Sequence, residues 1–344
     1  MAVRWRRDRT GVFGLIEFLV RRTVAAILVI AIVLSLAFFV IHLAPGDPTD
    51  RFLNPHMSQE RQDELRRSLG LDRPLPEQYL RWISGVVLRG DLGVSFAHNR
   101  PVSRVLAAHL PPTLALAAAA LAVQFAVGVG LGGLAAWREG STGDHILRWL
   151  SLILYSTPQF WLALMALLVG SYRLGWFPAS GMSSVAALDW GAWWTPRRLL
   201  DTALHLALPA LVLGLGTAGG VARFVRNALL EVKGRNFVRG ARAAGIGEHR
   251  ILWVLALKNA VAPLIELTGL SLPYLLSGAL ITEVVFSWPG MGRLTYAAIL
   301  ARDYPLILGS SLLAAVLVVA GSLLADLAHA AFDPRLRHEL TRRG

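Results

Sequence analysis

A basic loop, residues 223–258, holds the side chains of this sequence that are best suited to binding a partner. It carries both lysines of the chain and six arginines, against two acidic residues. Its central string, FVRGARAAGIGEHR at 237–250, predicts a short helix, a glycine turn and a second helix. A basic excess in a short loop between apolar segments marks the cytosolic side of a membrane. We therefore interpret the basic loop as a docking surface for a cytosolic partner.

Two acidic residues lie inside apolar segments, where a charge is costly unless it is paired or hydrated. Glu266 is six residues into a predicted span and Asp326 is near the inner end of another, so neither reaches the midplane. Each is either an interfacial acid held by arginine or water, or a residue lining the inner mouth of a pathway. His329 could pair with Asp326, but one imidazole and one carboxylate supply too few ligands for a metal site.

The sequence lacks the motifs of nucleotide-binding, covalent and metal-dependent enzymes. It contains no G-x-x-x-x-G-K-[ST], no G-x-S-x-G and no H-E-x-x-H. It also contains no cysteine, which excludes disulfides and thiolate metal sites. We predict that the chain is not an enzyme and that it holds no cofactor of its own.

Composition places the chain in a bilayer. Its 344 residues are 55% hydrophobic and only 16% charged, which is too apolar for a soluble protein of this size. Each of six apolar runs is long enough to cross roughly 30 Å of hydrocarbon as a helix. We predict an all-α membrane protein with spans near 23–43, 113–136, 147–170, 203–222, 260–282 and 305–330.

The charges fix an orientation for these spans. With the N-terminus inside, the cytosolic segments hold 20 basic and 8 acidic residues, and the external segments hold 14 and 12. The net charge of +12 is therefore a topology signal rather than a nucleic-acid footprint. The arginines before the first span could also belong to a secretory signal, but the apolar run is longer than the roughly 7–15 residues of such a signal. We predict that both termini are cytosolic.

A segment between the first two spans, 44–112, is large enough to form a small external domain. Residues 58–69 are polar and predict one helix, and Pro74 and Pro76 open a second. In this second helix an apolar stripe must pack on the outer end of the bundle, on a partner or in the headgroup layer. The stripe is Tyr79, Trp82, Ile83 and Val86.

Glycines and prolines predict how the spans pack and bend. The pairs Gly128/Gly132 and Gly216/Gly220 have the small-xxx-small spacing that lets helices approach closely. Prolines within or at the ends of later spans remove a helical hydrogen bond and favour bends. These are Pro158, Pro209, Pro263 and Pro273.

These features favour a transport bundle, driven either by an ion gradient or by a separate ATPase. Ion-coupled carriers place ionisable groups near the midplane, and here the acids are shallow. A short helix held between two spans instead suits rigid-body coupling to a partner. A proton-coupled peptide carrier acting alone is the alternative, and a scaffold without transport would leave the basic loop unexplained.

Several strings resemble ABC importer permeases of the dipeptide, oligopeptide and nickel branch. ARAAGIGEHRILWVLALKNAVAPLI at 241–265 is similar to the cytosolic coupling loop of that branch, with Arg239, Gly240 and Ala241 where the general importer motif reads E-A-A. Strings at 40–50, 69–96, 283–309 and 332–337 resemble other parts of the same permeases. The likeness runs from about Arg21 to near the C-terminus and resembles the first of the two permeases in such systems.

The resemblance implies a type I ABC importer permease with a helical external domain between its first two helices. The implied parts are a cytosolic extension at 1–22, the first helix at 23–43, the external domain at 44–112, a core at 113–330 with its coupling loop at 223–259, and a cytosolic tail at 331–344. The implied location is the bacterial inner membrane. The implied partners are a second homologous permease, two ATPase subunits that carry ATP and magnesium, and an external binding protein.

The resemblance also assigns roles. Short peptides are the implied substrate, and nickel chelates or glutathione-like compounds of the same branch stay open. Gly245 would form the turn, Phe237 and Val238 an apolar contact, and Arg235, Arg239 and Arg242 polar contacts to the ATPase groove. Ala241 and Ala243 would keep one flank smooth, and Glu266 and Asp326 would be candidates for the inner mouth.

Overall fold

The computed structural model describes residues 10–43, 64, 67, 72–186, 194–257, 264 and 279–332, with side chains between 20 and 324. Within these ranges the chain is helical, and an isolated bridge between Val94 and Pro101 is the only strand-like pairing. The all-α prediction is therefore confirmed. The helices are α1 (Thr10–Leu43), α2 (Leu75–Arg89), α3 (Val102–Trp137), α4 (Thr142–Ser156), α5 (Gln159–Ala166), α6 (Pro196–Lys233), α7 (Asn236–Ala243), α8 (Glu248–Arg250), α9 (Met291–Leu300) and α10 (Tyr304–Phe332).

Three shorter helical segments complete the described chain. π-helical turns extend α5 over Leu167–Arg173 and α8 over Ile251–Ala256. Residues 279–285 form the end of another helix.

Four helices are long and apolar enough to cross a membrane: Val20–Leu43 of α1, then α3, α6, and Tyr304–Leu324 of α10. They cover four of the predicted spans. The bent pair formed by α4 and the extended α5 covers a fifth, near 147–170. The span predicted at 260–282 falls almost wholly outside the described residues. The described chain thus accounts for four continuous spans, and for a fifth if the bent pair is one span.

The break between α4 and α5 occurs at Pro158. The two helices meet at an angle of 99°, with Thr157 and Pro158 both in extended conformations. Proline has no N–H to donate and excludes its predecessor from the helical region, so the helix cannot continue. The predicted bend at Pro158 is therefore confirmed. Pro209 lies inside α6, which continues past it.

Close packing between α3 and α6 forms the centre of the described fold. A side chain at Gly132 of α3 would collide with the carbonyl of Ala222 on α6, so that predicted glycine face is confirmed. On α6, however, Gly216 faces open space. Gly214 and Gly219 are the close-approach positions, against α3 and α4 respectively.

Helix α2 packs on the C-terminal half of α1. The Tyr79 hydroxyl hydrogen-bonds the Ser35 hydroxyl at 2.7 Å, and the Tyr79 and Trp82 rings contact Phe38. Pro74 caps α2 and Pro76 lies in its first turn, as predicted. The apolar stripe therefore packs, through these two rings, on the chain's own first span.

Candidate functional site

The short helix α7 stands at the end of α6, at the centre of the basic loop. The connection is tight, with the Arg235 N–H donating to the Val232 carbonyl at 3.0 Å. Val238 on α7 is fully buried. It belongs to an apolar cluster that joins α7 to α6 and to the chain after the turn, with Leu229, Val232, Ile251 and Leu252 among its buried members. This anchor fixes α7 to the bundle.

The exposed face of α7 carries most of the predicted docking residues. Phe237 is 43% exposed. Ala241 packs in part against the cluster, on the same side as Val238. Val238 therefore has no surface to offer a partner, and its predicted contact with an ATPase groove is corrected to an internal anchor. The exposed candidates are Arg235, Phe237, Arg239, Arg242, Ala243 and Gly245.

The arginines of this face differ in their partners. Arg235 donates to Glu231 at 2.9 Å, and Arg242 donates to both carboxylate oxygens of Glu248, one at 3.1 Å. The Arg242 guanidinium lowers the pKa of Glu248 below its ordinary value. Arg239 has no acidic partner among the described residues, so its charge is available for an external contact.

A left-handed glycine ends α7. Gly245 has φ +76°, its N–H donates to the Arg242 carbonyl at 2.9 Å, and the next N–H, of Ile246, donates to the Ala241 carbonyl at 3.0 Å. This pair of bonds is a Schellman motif, which satisfies the last carbonyls of the helix and favours glycine at the left-handed position. The predicted glycine turn is confirmed.

Beyond the turn the chain returns to the bundle. Ile251, Leu252 and Ala256 of the π-helical segment are buried. The Trp253 ring fills the space that a side chain at Gly133 of α3 would need. Both ends of the basic loop are therefore packed on the long helices α3 and α6.

Two polar links tie the α7 end of α6 to the α3–α4 turn. Asp144, which is 1% exposed, accepts two hydrogen bonds from the Arg226 guanidinium, at 2.9 and 2.8 Å. Two turns further along α6, the Lys233 ammonium donates to the Ala136 carbonyl and to Glu139, both at 3.1 Å. A bidentate buried pair fixes geometry more strongly than a surface pair. The α3–α4 turn therefore moves with α6.

A second buried carboxylate, Glu283, lies near the opposite end of α3. It accepts from the Thr113 hydroxyl at 2.7 Å and from the Arg293 N–H in the first turn of α9 at 3.0 Å. The Met291 N–H donates to the same hydroxyl at 2.7 Å. A side chain at Gly290 would collide with the carboxylate. Glu283 thus joins the start of α3 to the N-terminus of α9, where a negative charge is favourable.

A third buried acid, Asp303, caps the last span. It accepts from the Leu306 N–H at 3.2 Å at the start of α10. It also accepts from the Ser95 hydroxyl at 2.6 Å and the Ala97 N–H at 2.9 Å, both in the segment between α2 and α3. Asp303 therefore fixes this segment to the N-terminal end of α10.

Sequence reasoning missed these three acids, although two carried a local signal. Asp144 lies three residues after Ser141, the N-cap of α4, in a capping-box spacing. Asp303 precedes Tyr-Pro at the start of an apolar run, which is a helix-start pattern. No local pattern distinguishes Glu283. Of the acids that were predicted, Glu266 lies outside the described residues, and Asp326 lies within α10 but its side chain is not described.

Comparison with known proteins decides the family. Residues 128–338 match the model of the binding-protein-dependent transport system inner membrane component, and residues 15–117 match the N-terminal model of such membrane components. The chain belongs to this family. The second match ends within α3, so together the two models extend through the external segment and the core.

The relatives are permeases. The chain is 41% identical over 305 residues to a putative peptide permease of Brucella ovis, covering 88% of this chain and 93% of the relative. It is 35% identical to the dipeptide transport system permease DppB of Escherichia coli, covering 94% and 100%. It is 34% identical to the oligopeptide permease AppB of Bacillus subtilis, covering 93% and 99%. The resemblance to the peptide branch of ABC permeases is confirmed.

A solved structure supports the fold. The chain resembles the MetNI methionine ABC transporter in an inward-facing form, with a TM-score of 0.51 and 19% identity, covering 67% of this chain and 97% of that one. The chain therefore has the fold of a type I ABC importer permease.

Proposed function

We propose that this chain is one permease subunit of an ATP-driven importer of short peptides. A second homologous permease would form the other half of the pathway, two ATPase subunits would bind ATP and magnesium, and an external binding protein would deliver the peptide. The names of the relatives support peptides over nickel chelates or glutathione-like compounds. The observation that carries the proposal is an exposed helix, α7, rigidly anchored to a spanning helix.

In the proposed mechanism the ATPase pair moves α7 when it closes on ATP. α6 has 38 residues and runs without interruption for about 57 Å at 1.5 Å per residue. The Val238 anchor and the Asp144–Arg226 pair join α7, α6 and the α3–α4 turn into one unit. A displacement of α7 would therefore pass to the far ends of α3 and α6 as a rigid-body movement and open the pathway outward.

Phe237 and Arg239 are the proposed docking contacts. An exposed aromatic ring next to an uncompensated guanidinium is typical of a protein interface. Glu266 and Asp326 stay candidates for the inner mouth of the pathway. Both termini and the basic loop are proposed to lie in the cytosol, and residues 44–112 outside.

The test is assembly and transport by the purified complex. Arg239→Glu should strongly reduce co-purification of the ATPase subunits and abolish ATP-dependent peptide uptake in vesicles. Arg138→Glu is the matched control, because Arg138 is exposed in the α3–α4 turn at the same end of the bundle. Peptide uptake by the isolated chain with accompanying proton flux would replace this proposal with a carrier acting alone.

A further inference from the structure

An open cavity of about 420 Å³ lies at the end of the bundle opposite the basic loop. Its walls are the outer turns of α1, the external helix α2 and the start of α10. Because the start of α3 packs against α10 and its other end contacts Lys233, the cavity and the basic loop lie at opposite ends of α3. The lining includes Phe38, His42, Trp82, Phe96 and Tyr304.

The cavity is strongly basic. Four arginines line it, Arg67, Arg73, Arg81 and Arg89, and one acid, Asp91. Glu77 pairs with Arg73 and Arg81, whereas Arg67 and Arg89 have no acidic partner among the described residues. The external segment as a whole is nearly neutral, with nine basic and eight acidic residues between 44 and 112. Its positive charge is therefore concentrated at this cavity.

The two helices that line the cavity, α1 and α2, also carry exposed apolar side chains. Val40 and Leu43 on the last turn of α1 are 65% and 73% exposed, and Val87 and Leu88 on α2 are 71% and 79% exposed. The Tyr79–Ser35 hydrogen bond places α2 beside the outer half of a spanning helix. A basic cavity at this depth, bordered by apolar side chains, matches an amphiphile with a negative headgroup.

We propose that this cavity binds the phosphate headgroup of an anionic phospholipid of the outer leaflet. Arg81 and Arg89 would contact the phosphate, and the acyl chains would lie along the exposed side of α1. The bound lipid would link α2 to α1 and α10. The proposal rests on the cavity and on the proposed orientation with residues 44–112 outside, and it does not depend on the transported substrate.

The experiment is native mass spectrometry of the full chain, purified in detergent, delipidated and titrated with phosphatidylglycerol or phosphatidylcholine. We expect preferential retention of phosphatidylglycerol that weakens with salt. Arg81→Gln/Arg89→Gln should lower its apparent affinity on the order of ten-fold. Arg100→Gln/Arg104→Gln is the charge-matched control, because both arginines are exposed and outside the cavity.

Three results would overturn the proposal. Equal retention by the cavity variant and the control variant would place the lipid elsewhere. Equal retention of the two lipids by the wild-type chain would remove the requirement for a negative headgroup. Complete displacement of phosphatidylglycerol by millimolar inorganic phosphate would assign the cavity to a soluble anion.

Discussion

Replacing Gly245 by alanine should loosen the α7 turn without touching any other part of the chain. A Cβ built at Gly245 meets nothing within 4 Å, so the substitution creates no steric clash. The cost comes from the backbone, because φ is +76° and an L-residue in the left-handed region is disfavoured by about 1–2 kcal/mol. Valine should cost more, because a β-branched side chain is poorly tolerated there.

Two neighbouring glycines are matched controls, because neither has a positive φ and alanine is therefore not strained at either position. Gly247 has φ −65° and also faces open space, so alanine is not strained there. Because Gly247 is the N-cap of α8, where glycine is preferred to alanine, Gly247→Ala should change stability by less than about 1 kcal/mol. Gly240 lies inside α7 with open space around it, so Gly240→Ala should stabilise this helix by roughly 0.5–1 kcal/mol. If Gly240→Ala instead impairs ATPase binding while α7 is more ordered, the open space at Gly240 is where the partner sits.

The assay combines amide exchange with coupled activity. The Gly245 and Ile246 amides are bonded within the turn, so a loss of 1–2 kcal/mol should lower the protection of a peptide spanning 236–248 by about 5–30-fold. In reconstituted vesicles Gly245→Ala should reduce uptake per ATP hydrolysed, and Gly245→Asn should do less harm because asparagine tolerates the left-handed region. Equal protection and equal coupling for Gly245→Ala and Gly247→Ala would refute the reasoning.

The spanning helices were predictable because hydropathy is a property of each segment alone. α1, α3, α6 and α10 all contain a predicted span, and the break at Pro158 follows from the chemistry of one residue. The start of α2 followed from its prolines in the same way. The external helix predicted at 58–69 and the span at 260–282 lie largely outside the described residues and stay predictions.

The faces of the helices were less predictable because a partner helix decides them. Spacing selected Gly216 on α6, yet the close approaches occur at Gly214 and Gly219. α6 packs against α3 on one side and against α4 on another. The spacing of glycines four residues apart marks one helix face, so it could not predict contacts with two partner helices on different faces. On α7 the i, i+3 spacing of Val238 and Ala241 does place them on one face, which turns toward the bundle and leaves Phe237 outside.

The buried acids were also difficult to predict, because their hydrogen-bond donors lie far from them in the sequence. Sequence reasoning judged acids by their own segment and selected Glu266 and Asp326 for their apolar surroundings. The acids that the fold buries are satisfied by distant residues instead, with 82 positions between Asp144 and Arg226 and 170 between Glu283 and Thr113. A buried carboxylate needs donors from whichever element packs against it, so its role appears only after the elements are assembled.

Three further predictions test the rest of the fold. The chain has no native cysteine, so a single cysteine replacing Ser84 can be labelled specifically. It should react with a membrane-impermeant reagent added to intact cells. If it reacts only after the membrane is permeabilised, the proposed topology is inverted. Asp144→Asn breaks a buried ion pair and should destabilise the chain by about 3–5 kcal/mol in thermal unfolding, whereas Glu139→Gln, in a pair whose carboxylate is half exposed, should change stability by less than about 1 kcal/mol. Glu283→Gln should also destabilise the chain. The glutamine NH2 group would replace one carboxylate oxygen and could not accept from the Thr113 hydroxyl or from the Arg293 N–H. A buried donor that loses its acceptor costs about 1–3 kcal/mol. Wild-type unfolding of Glu283→Gln would mean that this carboxylate does not join α3 to α9.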